Sequence, residues 1–554
     1  MGLAVPVRSG AFGGLRRSAG AQRPFPRDRR LTFSRGLATL VALTIAAYVS
    51  VAFAGFVWDD RPLVVDNLVT HTLANTPVFF QVDLWEVAGG VEESSGYYRP
   101  LMLLSLAVDR ALWGLSPAGH HLQSLAWHLS GTILFAVLLR TRVRPEAALA
   151  GAALFALHPV QSEAVVWIAA RNDLMVASFS FAAVLALVRE RLVLGGILAL
   201  GAVFSKESGI FVFALLLAIQ GREVRVRQFV PLVLAVGIWL GFRHGLAGVG
   251  GASTPGVQEL GFLVERLPDV GAHYIQLLLL GWPLSVGASL EYLALPWGPR
   301  ILLWTAALGL GVVLLRRGGA TAARGVAFGA LCLTPAVLAI AVRGQLGERY
   351  LYLPMAGLAL AVAAALPQHR AVQWITAALA LLSAVAIGQR LPDWSNSRTL
   401  FAAAVESHPN GASYAALGHE LNDQPDGVAS CAWFRMALED EPAYAPVCQH
   451  AIRCGLKRGH IQEAGLGAEL TETRCPRSPV QRGLESMVWL RLCDYERAQR
   501  IAGTEGLNDA RLPLVLGVLA SHRGDEAAYE NIRSEVPDPA SFDVQVQQLR
   551  AMCP

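Results

Sequence analysis

His158-Pro159-Val160-Gln161-Ser162-Glu163-Ala164-Val165-Val166-Trp167-Ile168-Ala169-Ala170-Arg171-Asn172-Asp173 lies between two apolar runs, Ala147 to Leu157 and Leu174 to Val188, each reading as membrane-embedded. The arrangement leaves a histidine, two carboxylates and an arginine at or near membrane depth. Ionisable groups there cost several kcal/mol each unless they are paired, hydrated or used, so the stretch reads as a polar site inside a membrane protein. The alternative is a short solvated loop marking the membrane surface, which Arg171 and Asp173 alone would also fit.

The composition agrees with the membrane reading. The 554 residues are 54% hydrophobic and only 16% charged, too apolar for an ordinary soluble protein. Arg8, Arg16, Arg17, Arg23, Arg27, Arg29, Arg30 and Arg35 make residues 1–36 a basic tail ahead of a first apolar run, Leu37 to Val57. That run is too long for a signal-peptide core and lacks a convincing small-residue cleavage site, which predicts a retained anchor with a cytoplasmic N-terminus.

Working outward, residues 58–120 form a long first outer loop opening on Asp59-Asp60-Arg61. The moderately apolar Pro100 to Leu115, interrupted by Asp109 and Arg110, reads as an interfacial helix. Hydrophobic windows then fall near 121–139, 146–167, 174–188, 192–205, 209–220, 228–244, 300–315, 325–342, 350–366 and 371–388. With the first run they make about eleven spans, several shorter than a straight crossing needs. Alternate loops carry Arg140, Arg142 and Arg144, then Arg189 and Arg191, then Arg222, Arg225 and Arg227, then Arg316, Arg317 and Arg324, then Arg370, as cytoplasmic loops do. This alternation requires that Tyr274 to Leu290, broken by Gly281-Trp282-Pro283, does not cross. Arginines distributed in this way leave no nucleic-acid surface.

The same scheme brings four charged clusters to the outer side: Asp59-Asp60, the end of the opening stretch, Ser205-Lys206-Glu207-Ser208-Gly209, and Gly347-Glu348-Arg349-Tyr350. Charges from distant parts of a chain gathered on one face are what a catalytic cleft at a membrane surface requires.

Beyond about residue 391 the composition turns soluble. Turn prolines at Pro409, Pro442 and Pro476 are spaced 33 and 34 residues apart, the length of a tetratricopeptide helix pair. Ser413 to Gly418, Ala432 to Leu438 and then Tyr444 supply the packing positions, and residues 392–554 read as an extracytoplasmic α-solenoid of about four pairs, with an irregular helical domain as the alternative. Cys431, Cys448, Cys454, Cys475, Cys493 and Cys553 all fall here, suiting an oxidising compartment or, equally, buried free thiols; Cys332 lies in an apolar run.

Taken together, Phe56-Val57-Trp58-Asp59-Asp60 with Asn67, Tyr98-Arg99-Pro100-Leu101, His158-Pro159 through Asp173, Lys206-Glu207 with Gly209, and Glu348-Arg349-Tyr350-Leu351-Tyr352-Leu353-Pro354 resemble, in order, the motifs of the transmembrane and tetratricopeptide-repeat-containing proteins. That family is a branch of the lipid-linked-sugar glycosyltransferases that includes protein O-mannosyltransferases. The resemblance implies an all-α polytopic protein, with a GT-C-like transferase domain at 37–391 and the solenoid after it. Where the family commonly shows His-Leu-x-Asn, this chain has His121-Leu122-Gln123-Ser124.

The resemblance further implies a polyprenyl-phosphate sugar as donor, mannose as the sugar, and hydroxyls of exported proteins as acceptor, with the solenoid holding the acceptor. Asp59 or Asp60 is then the expected base, with Glu163 a further catalytic candidate. Lys206, Arg349, Arg171 and Arg99 are the expected cations for the departing phosphate. His158, Asp173 and Glu348 are further cleft residues. One carboxylate pair without fixed histidine spacing specifies no metal, and a divalent cation stays open. The richness in glycine, alanine and arginine points to a bacterial inner membrane with a periplasmic C-terminal domain. Two alternatives remain: a catalytically inactive membrane-anchored repeat scaffold recruiting envelope proteins, and a transporter, against which the one-sided clustering of charge argues.

Overall fold

The computed structural model describes residues 27–86, 95–249, 256–290, 293, 295–422, 424, 427–440, 445–503 and 509–552. Most of the basic tail, Pro442, Tyr444 and Cys553 lie outside them. Among the described residues every regular element is helical, apart from one isolated antiparallel bridge between Ser289 and Gln345.

The membrane part begins with α1 (Arg27–Tyr48), a one-turn α2 (Thr76–Phe79), α3 (Pro100–Trp113), α4 (Pro117–Leu139), α5 (Pro145–Leu157), the short α6 (Ser162–Val166) and α7 (Arg171–Val188). It continues with α8 (Leu192–Ser205), α9 (Val212–Gln220), α10 (Phe229–Gly241), α11 (Val257–Leu280), α12 (Trp297–Arg343), α13 (Tyr352–Ala365) and α14 (Arg370–Arg390). Six described stretches are long and apolar enough to cross a bilayer: Thr32–Phe53, Pro117–Leu139, Ile168–Val188, Val226–Leu246, Trp297–Val342 and Ala371–Ser395. A seventh is the bent pair Pro145–Leu157 and Pro159–Val166, broken by 51°. The shorter α8, α9 and α13, expected to be spans, have 14, 9 and 14 residues.

α12 shows why helix count and span count differ. At 1.5 Å per residue its 47 residues would reach about 70 Å, more than twice a hydrocarbon core of about 30 Å. It breaks at Gly319, whose φ of 56° and ψ of −141° only glycine adopts readily. The far ends of the two arms return to one side. Arg300 near the start is tied to Asp269 of α11 at 3.1 Å, and Tyr274 of α11 donates to the Gly347 carbonyl just past the end.

The expected interfacial segment also shifts. Instead of spanning Tyr274 to Leu290, the helix starts at Val257 and stops at Gly281, in the left-handed region. Loops then sort to the two ends of the bundle. At one end Arg142 pairs with Glu223, Arg225 and Arg227 share Glu190, Arg144 donates to the Leu366 carbonyl and Arg324 to that of Ala218. At the other end lie the clusters that contain Asp60, Glu163, Lys206 and Arg349.

After α14 come α15 (Ser397–Ser407), α16 (Gly411–Asn422), α17 (Ala429–Asp440), α18 (Ala445–Lys457), α19 (Ile461–Arg474), α20 (Pro479–Arg491), α21 (Tyr495–Ala502), α22 (Arg511–Arg523), α23 (Glu526–Glu535) and α24 (Pro539–Ala551). Helices α16 to α23 are four hairpin-like pairs stacked as a solenoid, α15 leading in and α24 packing on α22 at the far end. Disulfides Cys431–Cys454 and Cys448–Cys475 tie α18 to the helices on either side, and Cys493 is also disulfide-bonded. The alternative of buried free thiols in this domain therefore fails for its five described cysteines, whereas Cys332 in the membrane part is free and buried.

Candidate active site

The site is built where two motifs clasp. Lys206 breaks α8 with an extended backbone, and the chain turns back so tightly that a Cβ at Gly209 would lie 2.5 Å from the Ala202 carbonyl carbon. Only glycine fits that approach. The turn places Lys206 Nζ 2.6 Å from Asp173 Oδ1 on α7. It also aims Glu207 at Tyr98-Arg99: Glu207 accepts from the Tyr98 amide at 3.1 Å and from Arg99 Nε and Nη2 at 3.1 and 3.0 Å. Arg243 stands 4.0 Å from the other Glu207 oxygen.

A second clasp joins the opening stretch to the motif after α12. Glu163 is fully buried on α6 and accepts from Arg349 twice, from the guanidinium at 2.5 Å and from the backbone amide at 3.0 Å. Arg349 lies over Trp167 at 4.9 Å and over Tyr350 at 4.9 Å. Trp167 stacks on Trp58 at 4.7 Å and 8°, and Trp58 meets Phe401 of α15 edge-on at 5.8 Å. Glu348 turns away from this pair towards Arg390, 3.8 Å distant at the end of α14, and burial pushes its carboxyl up.

Arg99 and Arg349 both lie within electrostatic reach of Lys206. Both arginines hold the lysine amine down electrostatically, though burial does more, and Asp173 attracts all three. Each side chain keeps a little solvent exposure, 17%, 12% and 17% respectively. An apolar pocket of about 430 Å³ is lined by Ile210, Phe211, Phe213, Ala214, Val233, Val236 and Leu331. It opens among α9, α10 and α12, four residues after Lys206.

The two adjacent aspartates separate. Asp60 is fully buried; its oxygens accept from the Val57 amide at 3.1 Å and from the Ala169 amide at 2.8 Å, pinning the first outer loop to the opening stretch. Burial pushes its carboxyl up to about 8 against these donors. Asp59 is partly exposed.

Other expected site residues are placed elsewhere. Arg171 is completely buried, 2.5 Å from Asp109 of α3, and donates to Ser124, Ser105 and the His120 carbonyl. Asp109 is therefore not a surface charge on an interfacial helix: it is fully buried. His158 accepts from the Val160 amide through one ring nitrogen and contacts the Leu278 carbonyl at 3.2 Å through the other, serving as a helix cap. Sequence reasoning missed Asp109 as a partner, although an acid inside an apolar helix calls for one. It also missed the Trp58–Trp167 stack, for which two separated tryptophans give no signal. Among the described residues no three His, Cys, Asp or Glu side chains converge as a metal site; the cleft acids face cations.

Comparison with known proteins adds a separate line of support. The chain is 30% identical over 152 residues to the mouse "Protein O-mannosyl-transferase TMTC3" and over the same length to its human counterpart, 27% of this chain in each case. It is 33% identical over 186 residues to the Drosophila melanogaster "Protein O-mannosyl-transferase Tmtc1", 32% of this chain. Over these segments the chain is similar to TMTC proteins. The matched segments span 16, 17 and 21% of those three relatives' own lengths. No family model and no solved structure matches the chain.

Proposed function

We propose that this membrane protein is a glycosyltransferase that moves a sugar, mannose, from a polyprenyl-phosphate donor to hydroxyls of exported proteins. The single observation behind the reading is that Arg99 and Arg349 flank Lys206 electrostatically, each of the three slightly open, with an apolar pocket beginning four residues after the lysine. A lipid phosphate with its tail in the bilayer fits such a place, and the relatives bear the name of protein O-mannosyl-transferases.

In the reaction the acceptor hydroxyl loses its proton to Asp59, and its oxygen bonds to the anomeric carbon from the side opposite the phosphate. The bond from that carbon to the phosphate oxygen breaks, and the electron pair leaves on the lipid phosphate with inversion. Fixed cations are worth most where that charge appears, since they need no reorganisation at that moment. Lys206 and Arg99 are held in waiting by Asp173 and Glu207, and the phosphate competes with those carboxylates for them. Asp60, Glu163, Asp173 and Glu207 are positioning residues in this scheme, and Arg171 a buried strut. The disulfides of the C-terminal domain support an oxidising compartment for that side, and with arginines at the opposite end they favour an inner membrane with the cleft facing outward. The solenoid, rooted beside Asp59, is the natural holder of the acceptor.

The test incubates membranes with a radiolabelled polyprenyl-phosphate mannose and follows label into protein, comparing wild type with Asp59→Asn and Lys206→Ala. Label in the wild type and loss in both variants is expected; equal label in all three removes the assignment. No label in any sample leaves a scaffold as the better description.

A further inference from the structure

We propose that Trp58 is a positioning residue of the cleft and that the C-terminal region holds it in place through Phe401 and Ser397. The kinetic half of this inference rests on the transfer reading above; the structural half does not.

Trp58 adopts φ of 49°, in the left-handed region where a bulky side chain is an outlier unless its surroundings impose it. Those surroundings come largely from beyond the last apolar span. The Trp58 amide donates to Ser397 Oγ at 3.0 Å, and the Gly55 amide to the Ser395 carbonyl at 2.9 Å. The Phe401 ring stands at 74° to the indole, which on its flat side stacks on Trp167. The left-handed turn has a chemical consequence: it sends Asp60 inward to the Ala169 amide and leaves Asp59 partly open.

Trp167 in turn carries the Arg349 guanidinium, which Glu163 holds from another side. Phe401, Trp58, Trp167 and Arg349 thus form one packed series from the repeat region to a cleft cation, with the candidate base one residue from its second member. Without Phe401, Trp58 relaxes to an ordinary backbone conformation, Trp167 loses its cover and Arg349 gains freedom. A misplaced base and cation slow the chemical step more than they weaken donor binding, so kcat falls while KM for the donor changes little.

The experiment uses the full chain in detergent with Phe401→Ala and Phe401→Tyr. Phenylglyoxal modification of Arg349, followed by peptide mass spectrometry, reports the freedom of the guanidinium; transfer kinetics report the rest. Phe401→Ala is expected to speed Arg349 modification about fivefold or more and to lower kcat about tenfold at near-constant donor KM, and Phe401→Tyr to restore both. Wild-type modification of Arg349 in Phe401→Ala overturns the proposal, and so does faster modification with unchanged kcat. If the wild type transfers no sugar, the transfer reading fails, and Arg349 modification alone decides the positioning claim. If Phe401→Ala does not survive purification, Phe401→Leu, which keeps volume without the ring, is judged on the same readouts.

Discussion

At one end of the helical bundle Arg225 and Arg227 share Glu190 with their side chains 61% and 55% exposed; at the other, Arg171 and Asp109 meet with none of either side chain in solvent. Between those extremes stand the cleft pairs, Lys206 with Asp173, Arg99 with Glu207 and Arg349 with Glu163, buried on most sides and open on one. The residue types are the same throughout, so solvent decides what each pair does. An exposed pair contributes little, a sealed pair is a strut whose disruption strands a charge, and a pair with one open side can exchange its carboxylate for a ligand anion. Substitutions at the three levels should separate accordingly.

The largest effect is expected at the half-open cations. Lys206→Ala should lower transfer from a polyprenyl-phosphate sugar by about 100-fold or more, as removal of a preorganised charge-stabilising group does elsewhere. Thermal unfolding in detergent should change far less than transfer. A Lys206→Ala protein that unfolds early and keeps its specific activity would move Lys206 into the class of struts.

The sealed pair should show the reverse. Asp109→Ala leaves Arg171 buried without its carboxylate, and a loss of about 3–5 kcal/mol is expected, measured as a lower denaturation midpoint. The double variant Asp109→Leu with Arg171→Met, which removes both charges and keeps the volume, should recover much of that loss. Recovery equal to none would show that Ser105, Ser124 and the His120 carbonyl, all bonded to Arg171, matter more than the carboxylate.

These levels also mark what the sequence makes legible. Helices, the one-sided gathering of charge and the clasping motifs follow from apolar runs and charged breaks, because a charge within an apolar environment has few places to go. The pairing is different: Arg171 and Asp173, two residues apart, look equivalent in the sequence, yet one is sealed against α3 and the other faces Lys206. Helical facing separates them, and only the packing of α3 and α8 against α7 says which face is sealed. Asp59 and Asp60 diverge for a similar reason, the left-handed turn at Trp58 being a tertiary product of Ser397 and Phe401. Ser124, which closes the His121-Leu122-Gln123-Ser124 stretch, supplies an oxygen to Arg171 Nε at 3.1 Å, a contact that nothing in the local sequence announces.

A smaller effect is expected from pH. Asp60 is an acid whose folded pKa, about 8, lies above its unfolded value of 3.8. Below pH 4 both states hold the proton and the folded state has no disadvantage from this group. As pH rises from about 4 to 8 the unfolded chain releases its proton first, so stability falls across that window. Melting temperature should decline with pH over the same range, and buried Glu348, also shifted upward, contributes with the same sign. Glu348→Gln should flatten the decline in part; a profile that rises with pH in both proteins would mean that the amides of Val57 and Ala169 keep Asp60 ionised.

The smallest effect belongs to the exposed end, where it calibrates the rest. Glu190→Gln removes the carboxylate shared by Arg225 and Arg227, at 2.9 and 2.6 Å. By distance alone these contacts rival Lys206–Asp173, but water on the open sides screens the charges and rehydrates the two guanidinium groups when the partner is lost. The expected cost is at most about 1 kcal/mol, shrinking further in high salt, with transfer unchanged. Denaturation midpoints at low and high salt check the first part, and labelling of protein acceptor the second. A loss as large as that of Asp109→Ala would mean that solvent does not rank these pairs, and the ordering of all the substitutions above would have to be drawn from distance instead.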